Sequence, residues 1–141
     1  MRKMLIVSLA AAQLALVAAP TCASTAEKPD APADAAALKI GEREYFTKCY
    51  SCHSLEEGGG HKIGPNLWGV FGKKAGSAAP DFGYSPALKK SGITWSAQTM
   101  DKWLAGPAKL VPGNLMAFAG LPNEQDRKAL IAYLQKNTGA K

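Results

Sequence analysis

Five consecutive residues, Cys49-Tyr50-Ser51-Cys52-His53, restrict the fold of this chain more than any other feature. Thiols at i and i+3 share one side of a helical turn, where they can form thioether links to the two vinyl groups of a porphyrin. The imidazole that follows then lies under the iron, which makes His53 the proximal ligand of a covalently held haem. Two other uses of the same residue types fit less well. A dithiol redox pair wants a βαβ context, and the residues around Cys49 and Cys52 show no strand alternation. A zinc site drawn from Cys49, Cys52, His53 and His61 places Cys and His side by side, poorly suited to a tetrahedral site, and no second Cys-x-x-Cys completes it.

With 141 residues, the chain has room for one domain plus its ends. Residues 1–23 read as a signal peptide: Arg2 and Lys3 form a charged start, and Leu5 to Ala19 is an apolar run too short to span a membrane. Cleavage after Ala23, or after Ala26, removes Cys22 and leaves only the two motif cysteines, so no structural disulfide is expected in the oxidising compartment that export reaches. It also lowers the formal charge from +6 to +4, with 15 basic and 11 acidic side chains remaining. That bias can orient a docking partner but is too weak and scattered to indicate nucleic acid. Residues 24–37 are mostly Ala, Pro and Asp with nothing large to bury, and are expected to form a flexible tail ahead of a domain spanning 38–141.

Helical spacing begins at Leu38 and puts Leu38, Gly41, Tyr45 and Cys49 on one face, ending near Tyr50. Gly41 weakens that helix by about 1 kcal/mol relative to Ala, which points to a second helix passing close by. Residues 61–83 have no sustained period, and a large cofactor is what could supply the core they lack. Ser85-Pro86 predicts a short helix over 86–91, and a second runs from Ala97 to Ala105, stopped by Gly106-Pro107. Pro107 to Pro122 reads as a loop. Asn123 then caps a final helix to about Asn137, with Asp126 placed as a capping-box partner and Leu130, Ile131, Tyr133 and Leu134 as its inward stripe. The result is all-α, with four to five helices, long loops and no sheet.

Three segments carry a family resemblance: Lys48 to Gly76 (KCYSCHSLEEGGGHKIGPNLWGVFGKKAG), Val111 to Phe118 (VPGNLMAF) and Asp126 to Leu134 (DRKALIAYL). In order and spacing they resemble class I cytochrome c, in its mitochondrial and bacterial carrier branch. The resemblance implies a small haem-centred fold carrying one covalent haem c, with Cys49 and Cys52 attached to it and iron held between His53 and Met116. A thioether ligand favours ferrous iron and raises the reduction potential. It further implies that the Pro65 carbonyl orients His53, that Tyr84 and Trp95 bond a haem propionate, and that Gly41 and Tyr45 pack near Tyr133. Met100 reads as core and His61 as a loop hydrogen-bonder.

The chain departs from the family at several positions: Lys73 stands where arginine is common, Trp103 where tyrosine is common, and Ala108 and Leu115 where lysines are common. The implied activity is relay of single electrons in the periplasm by a monomer that is not an enzyme. Membrane or periplasmic redox proteins (a reductase, oxidase or dehydrogenase) would dock at the exposed haem edge, steered by Lys48, Lys62 and Lys109. A haem enzyme or gas sensor would need a loosely held Met116, and no distal His or Arg supplies acid-base help near the iron.

Overall fold

The computed structural model describes residues 35–140; the expected signal at 1–23 and residues 24–34 of the expected tail lie outside them. Among the described residues, five helices form in the order α1 (Ala35–Lys48), α2 (Pro86–Lys90), α3 (Ala97–Ala105), α4 (Pro107–Leu110) and α5 (Glu124–Asn137). Among the described residues there is no strand, only an isolated bridge between Lys74 and Thr94. The all-α expectation holds.

Local chemistry accounts for most boundaries. Ser85 Oγ accepts from the Leu88 N–H at 3.2 Å, with Pro86 at the first position of α2. Ser96 and Thr99 close a reciprocal capping box at the start of α3. Asn123 Oδ1 accepts from the Gln125 and Asp126 N–H groups at 2.9 and 3.3 Å, so α5 starts where expected. The Asp126 carboxylate instead lies 4.0 Å from Arg43 Nη2 on α1. Two boundaries differ from the sequence reading. α1 includes Ala35, Ala36 and Ala37, three residues of the stretch read as tail, because alanine carries the highest helix propensity. Pro107 opens the one-turn helix α4 where a loop was expected; its fixed φ suits a first helical position and its missing N–H costs nothing there.

The helices meet around one core that includes Tyr45, Leu55, Val70, Trp95, Met100, Trp103, Leu104, Leu130, Ile131 and Leu134. Met100 is core, as expected. α1 crosses α5 at Gly41, where a Cβ would come within 2.7 Å of the Ala129 carbonyl carbon and of Tyr133 Cβ. Beside that crossing the Tyr45 and Tyr133 rings lie 5.7 Å apart. α3 packs on both α4 and α5. The long segment between α1 and α2 holds its course through backbone bonds to distant residues: Gly69 N–H to the Thr138 carbonyl (2.7 Å), Gly72 N–H to Trp95 (2.8 Å) and Ala75 N–H to Ile93 (2.7 Å). No described helix is long and apolar enough to cross a membrane.

Candidate haem site

α1 delivers the cysteine motif. Its last turn runs on through Cys49, whose N–H donates to the Tyr45 carbonyl at 2.8 Å, and the Cys49 carbonyl accepts from both Cys52 N–H (2.9 Å) and His53 N–H (2.8 Å). The motif is therefore one wound turn, with both cysteines half-buried and free. Tyr45, one turn back on α1, donates its hydroxyl to the His53 carbonyl at 2.9 Å. Burial pushes the Tyr45 hydroxyl up to about 12, so it remains a donor at any neutral pH.

The ring of His53 is held from the opposite side. Its Nδ1 is 2.7 Å from the Pro65 carbonyl oxygen. A carbonyl can only accept, so Nδ1 carries the proton and the lone pair is left on Nε2, the form in which imidazole binds a metal. Gly64 lies flat against this ring: a Cβ there would be 2.8 Å from Nδ1 and 2.9 Å from Nε2. The Gly64 N–H in turn donates to the Cys52 carbonyl at 2.8 Å. Burial depresses the His53 pKa, with the Lys62 charge acting in the same direction and the Pro65 bond opposing them, so the neutral ligand form prevails at pH 7.

Burial pushes the Cys49 thiol up to about 11, against the smaller effect of Lys48. A dithiol redox pair needs a depressed thiol pKa, and this one is raised. Among the described residues no cluster of three or more His, Cys, Asp or Glu could hold a metal ion, which removes the zinc alternative. The donor set therefore suits haem: two thiols on one turn and a neutral, oriented imidazole. A rim of half-buried apolar side chains, including Leu67, Phe71, Ile93, Met116 and Phe118, packs on the same core as Cys49.

Met116 sits on the segment between α4 and α5. Asn114 accepts from its N–H through Oδ1 at 2.9 Å while donating to the Val111 carbonyl at 2.9 Å. The far end of the segment is tied down by Leu121 N–H to the Leu104 carbonyl (2.7 Å) and by Arg127. That buried guanidinium donates to the carbonyls of Leu121 and Pro122, both at 2.9 Å, and pairs with Asp101 at 2.7 Å. Tyr84 is half-buried, accepts from the Ala79 N–H at 3.2 Å and stacks edge-on with Phe82; its own hydroxyl proton is still available to an acceptor. Trp95 is buried and meets Trp103 edge-on at 5.5 Å. His61 is a loop fastener, as expected: its Nδ1 accepts from the Asn66 N–H and its Nε2 bonds Asp81, both at 3.0 Å.

Three site-shaping groups escaped the sequence reading. Gly64 and the Tyr45 hydroxyl were missed because their partners are fixed only when the loop folds back. Asn66 was missed although a Gly-Pro-Asn sequence signals turn chemistry; its side chain donates to the Glu56 and Gly59 carbonyls and accepts from the Trp68 N–H, stitching the loop beside Pro65.

An all-α domain with one core and, among the described residues, no sheet, which presents Cys-x-x-Cys-His at the end of its first helix, has the architecture of a small c-type haem protein. The cytochrome c family profile matches residues 38–138. A protein named cytochrome c from Chlamydomonas reinhardtii is 49% identical over 108 residues, covering 77% of this chain and 96% of its own. Cytochrome c from Gossypium barbadense is 45% identical over 100 residues (71% of this chain, 89% of its own), and that from Kluyveromyces lactis is 42% identical over 106 residues (75% and 96%). This chain belongs to the cytochrome c family. It is accordingly an electron-transfer protein, not an enzyme, and carries one covalently attached haem c with its iron.

Proposed function

We propose that this protein relays single electrons between redox partners in the bacterial periplasm, with its haem bound to Cys49 and Cys52 and its iron held between His53 and Met116. When bound, the haem supplies a reversible one-electron Fe(III)/Fe(II) couple. The residues of the chain prepare the site for it. Pro65 and Gly64 fix the plane and tautomer of His53, and Tyr45 holds the backbone beneath it. The observation that carries this reading is the 2.7 Å contact between His53 Nδ1 and the Pro65 carbonyl, because it presents Nε2 as an oriented donor beside the two thiols.

Met116 is the second ligand in this reading: Asn114 and Arg127 hold its segment at both ends, and its side chain is half-buried on the same core as Cys49. With His53 and Met116 both holding the iron, the chain would leave no place there for a substrate. Tyr84 and Trp95 serve a haem propionate, which a buried charge requires. Partners dock where Ile63 (81% exposed) and Leu115 (79% exposed) adjoin the motif and Met116, with Lys109 steering. Lys48 steers less, being paired with Glu44 at 3.3 Å. Export rests on residues 1–23.

The test is a visible spectrum of the oxidised protein, expressed with haem-attachment machinery and recovered from the periplasmic fraction, scanned for the weak red band of methionine sulfur on ferric haem. The band is present in the parent and lost in Met116→Ala, and the mass corresponds to a chain starting at Ser24 with one haem. A haem spectrum without the band removes Met116 from the ligand set; absence of the protein from that fraction removes the localisation.

A further inference from the structure

Lys62 was read from sequence as a steering charge, but its side chain is turned onto the cysteine motif. Its Nζ donates to the carbonyl of Tyr50, inside the Cys49–Cys52 turn, at 2.5 Å. The same ammonium lies 3.8 Å from the centroid of the Tyr50 ring. Tyr50 is itself braced on α1, its ring 5.2 Å from Phe46 and 6.0 Å from Tyr45. The backbone repeats the attachment, since Lys62 N–H donates to the Gly64 carbonyl at 3.0 Å and Gly64 N–H to the Cys52 carbonyl at 2.8 Å. A docking lysine keeps its head in water and its rotamers free, whereas this one has a carbonyl acceptor and a π face that fix both.

We propose that Lys62 is a positioning residue of the haem site: its ammonium clamps the Cys49–Cys52 turn through Tyr50 and, as a fixed positive charge beside that turn, biases the bound iron toward the ferrous state. The proposal rests on haem attachment at Cys49 and Cys52 as described above. Its physical basis is Coulombic. Loss of an electron from the iron adds one positive charge to the site, and a nearby held cation disfavours that state. Because Lys62 is exposed, solvent screens much of this, and the expected bias is roughly two- to threefold in the ferrous/ferric equilibrium. At about 59 mV per tenfold for one electron, that is about 18 to 28 mV.

The experiment is spectroelectrochemical titration of the haem-loaded parent, Lys62→Met, Lys62→Arg and Tyr50→Leu at low and high salt, with the methionine band recorded in each. The expected result is a lower potential in Lys62→Met and parental behaviour in Lys62→Arg. Tyr50→Leu removes the π face but keeps the backbone carbonyl, so the ammonium is held less firmly and the potential falls by less and depends more steeply on salt. Tyr50→Leu keeps the test decisive if Lys62→Met fails to accumulate haem. Equal potentials in the parent and these variants, with only the salt dependence of a partner reaction changed, would make Lys62 a docking charge and overturn the proposal alone. A parent that attaches no haem at the two cysteines overturns the site reading along with it.

Discussion

Gly41→Ala should destabilise the protein, although the same change on an open helix would stabilise it. Alanine improves helix propensity by about 1 kcal/mol over glycine. Against this, the new methyl would lie 2.7 Å from the Ala129 carbonyl carbon and from Tyr133 Cβ, roughly 1 Å inside an ordinary carbon–carbon contact of about 3.5–4.0 Å. One of those atoms is backbone and the other the root of a side chain, so no rotamer change relieves the overlap; α1 and α5 must part. A radial gap of about 0.5–1 Å forfeits a quarter to a half of each contact lining it, and that includes the Tyr45–Tyr133 ring pair. Overpacking of this kind costs about 1–3 kcal/mol, and with backbone in the way the upper end applies. The net loss is therefore about 2 kcal/mol, or roughly 8–16 °C in melting temperature for a domain of this size. Thermal unfolding of haem-loaded parent and variant, followed by far-ultraviolet circular dichroism, measures it. An unchanged or raised melting temperature would refute the claim that close helix approach, rather than chance, places glycine here.

Arg127→Met removes the donors to the Leu121 and Pro122 carbonyls and the partner of Asp101, at a cost of about 2–3 kcal/mol. Loss of the methionine band at a urea concentration below that of global unfolding would show the loosened segment directly, and coincident transitions would count against it. Glu44→Gln tests a pH term. Burial alone would raise the Glu44 pKa, but its bonds to Arg43 (2.9 Å) and Lys48 outweigh this and hold it below the ordinary 4.5. A carboxylate depressed in the folded state contributes stability that is present above its unfolded pKa and lost as pH falls through the folded one. The parent should exceed Glu44→Gln in urea midpoint near neutrality and approach it as pH drops below about 4; a constant difference across that range would rule the ion pairs out as the source.

The chemistry and the helices were legible in the sequence because both are local. The spacing of Cys49, Cys52 and His53 alone points to a haem-binding turn, and Ser85-Pro86, Ser96 and Asn123 each bond N–H groups two or three residues away, so their helices start within a residue of the positions read from sequence. Periodicity exposed Gly41 as an anomaly, and its reason lies on α5. The relations that shape the site are between residues far apart in the chain. Gly64 lies against His53 and Arg127 bonds Asp101 across 26 positions. Lys62 reads from sequence as a steering charge, because nothing in its neighbourhood of sequence says that the chain folds back over Tyr50. A capping residue finds its partner within one helical turn whatever the rest of the chain does, so sequence alone determined where α2, α3 and α5 begin and which residues are offered as a haem-binding turn. A buried carbonyl or a long cationic side chain finds its partner only once the loops have closed around the core, so only the tertiary structure decided how His53 is oriented and where the charge of Lys62 acts.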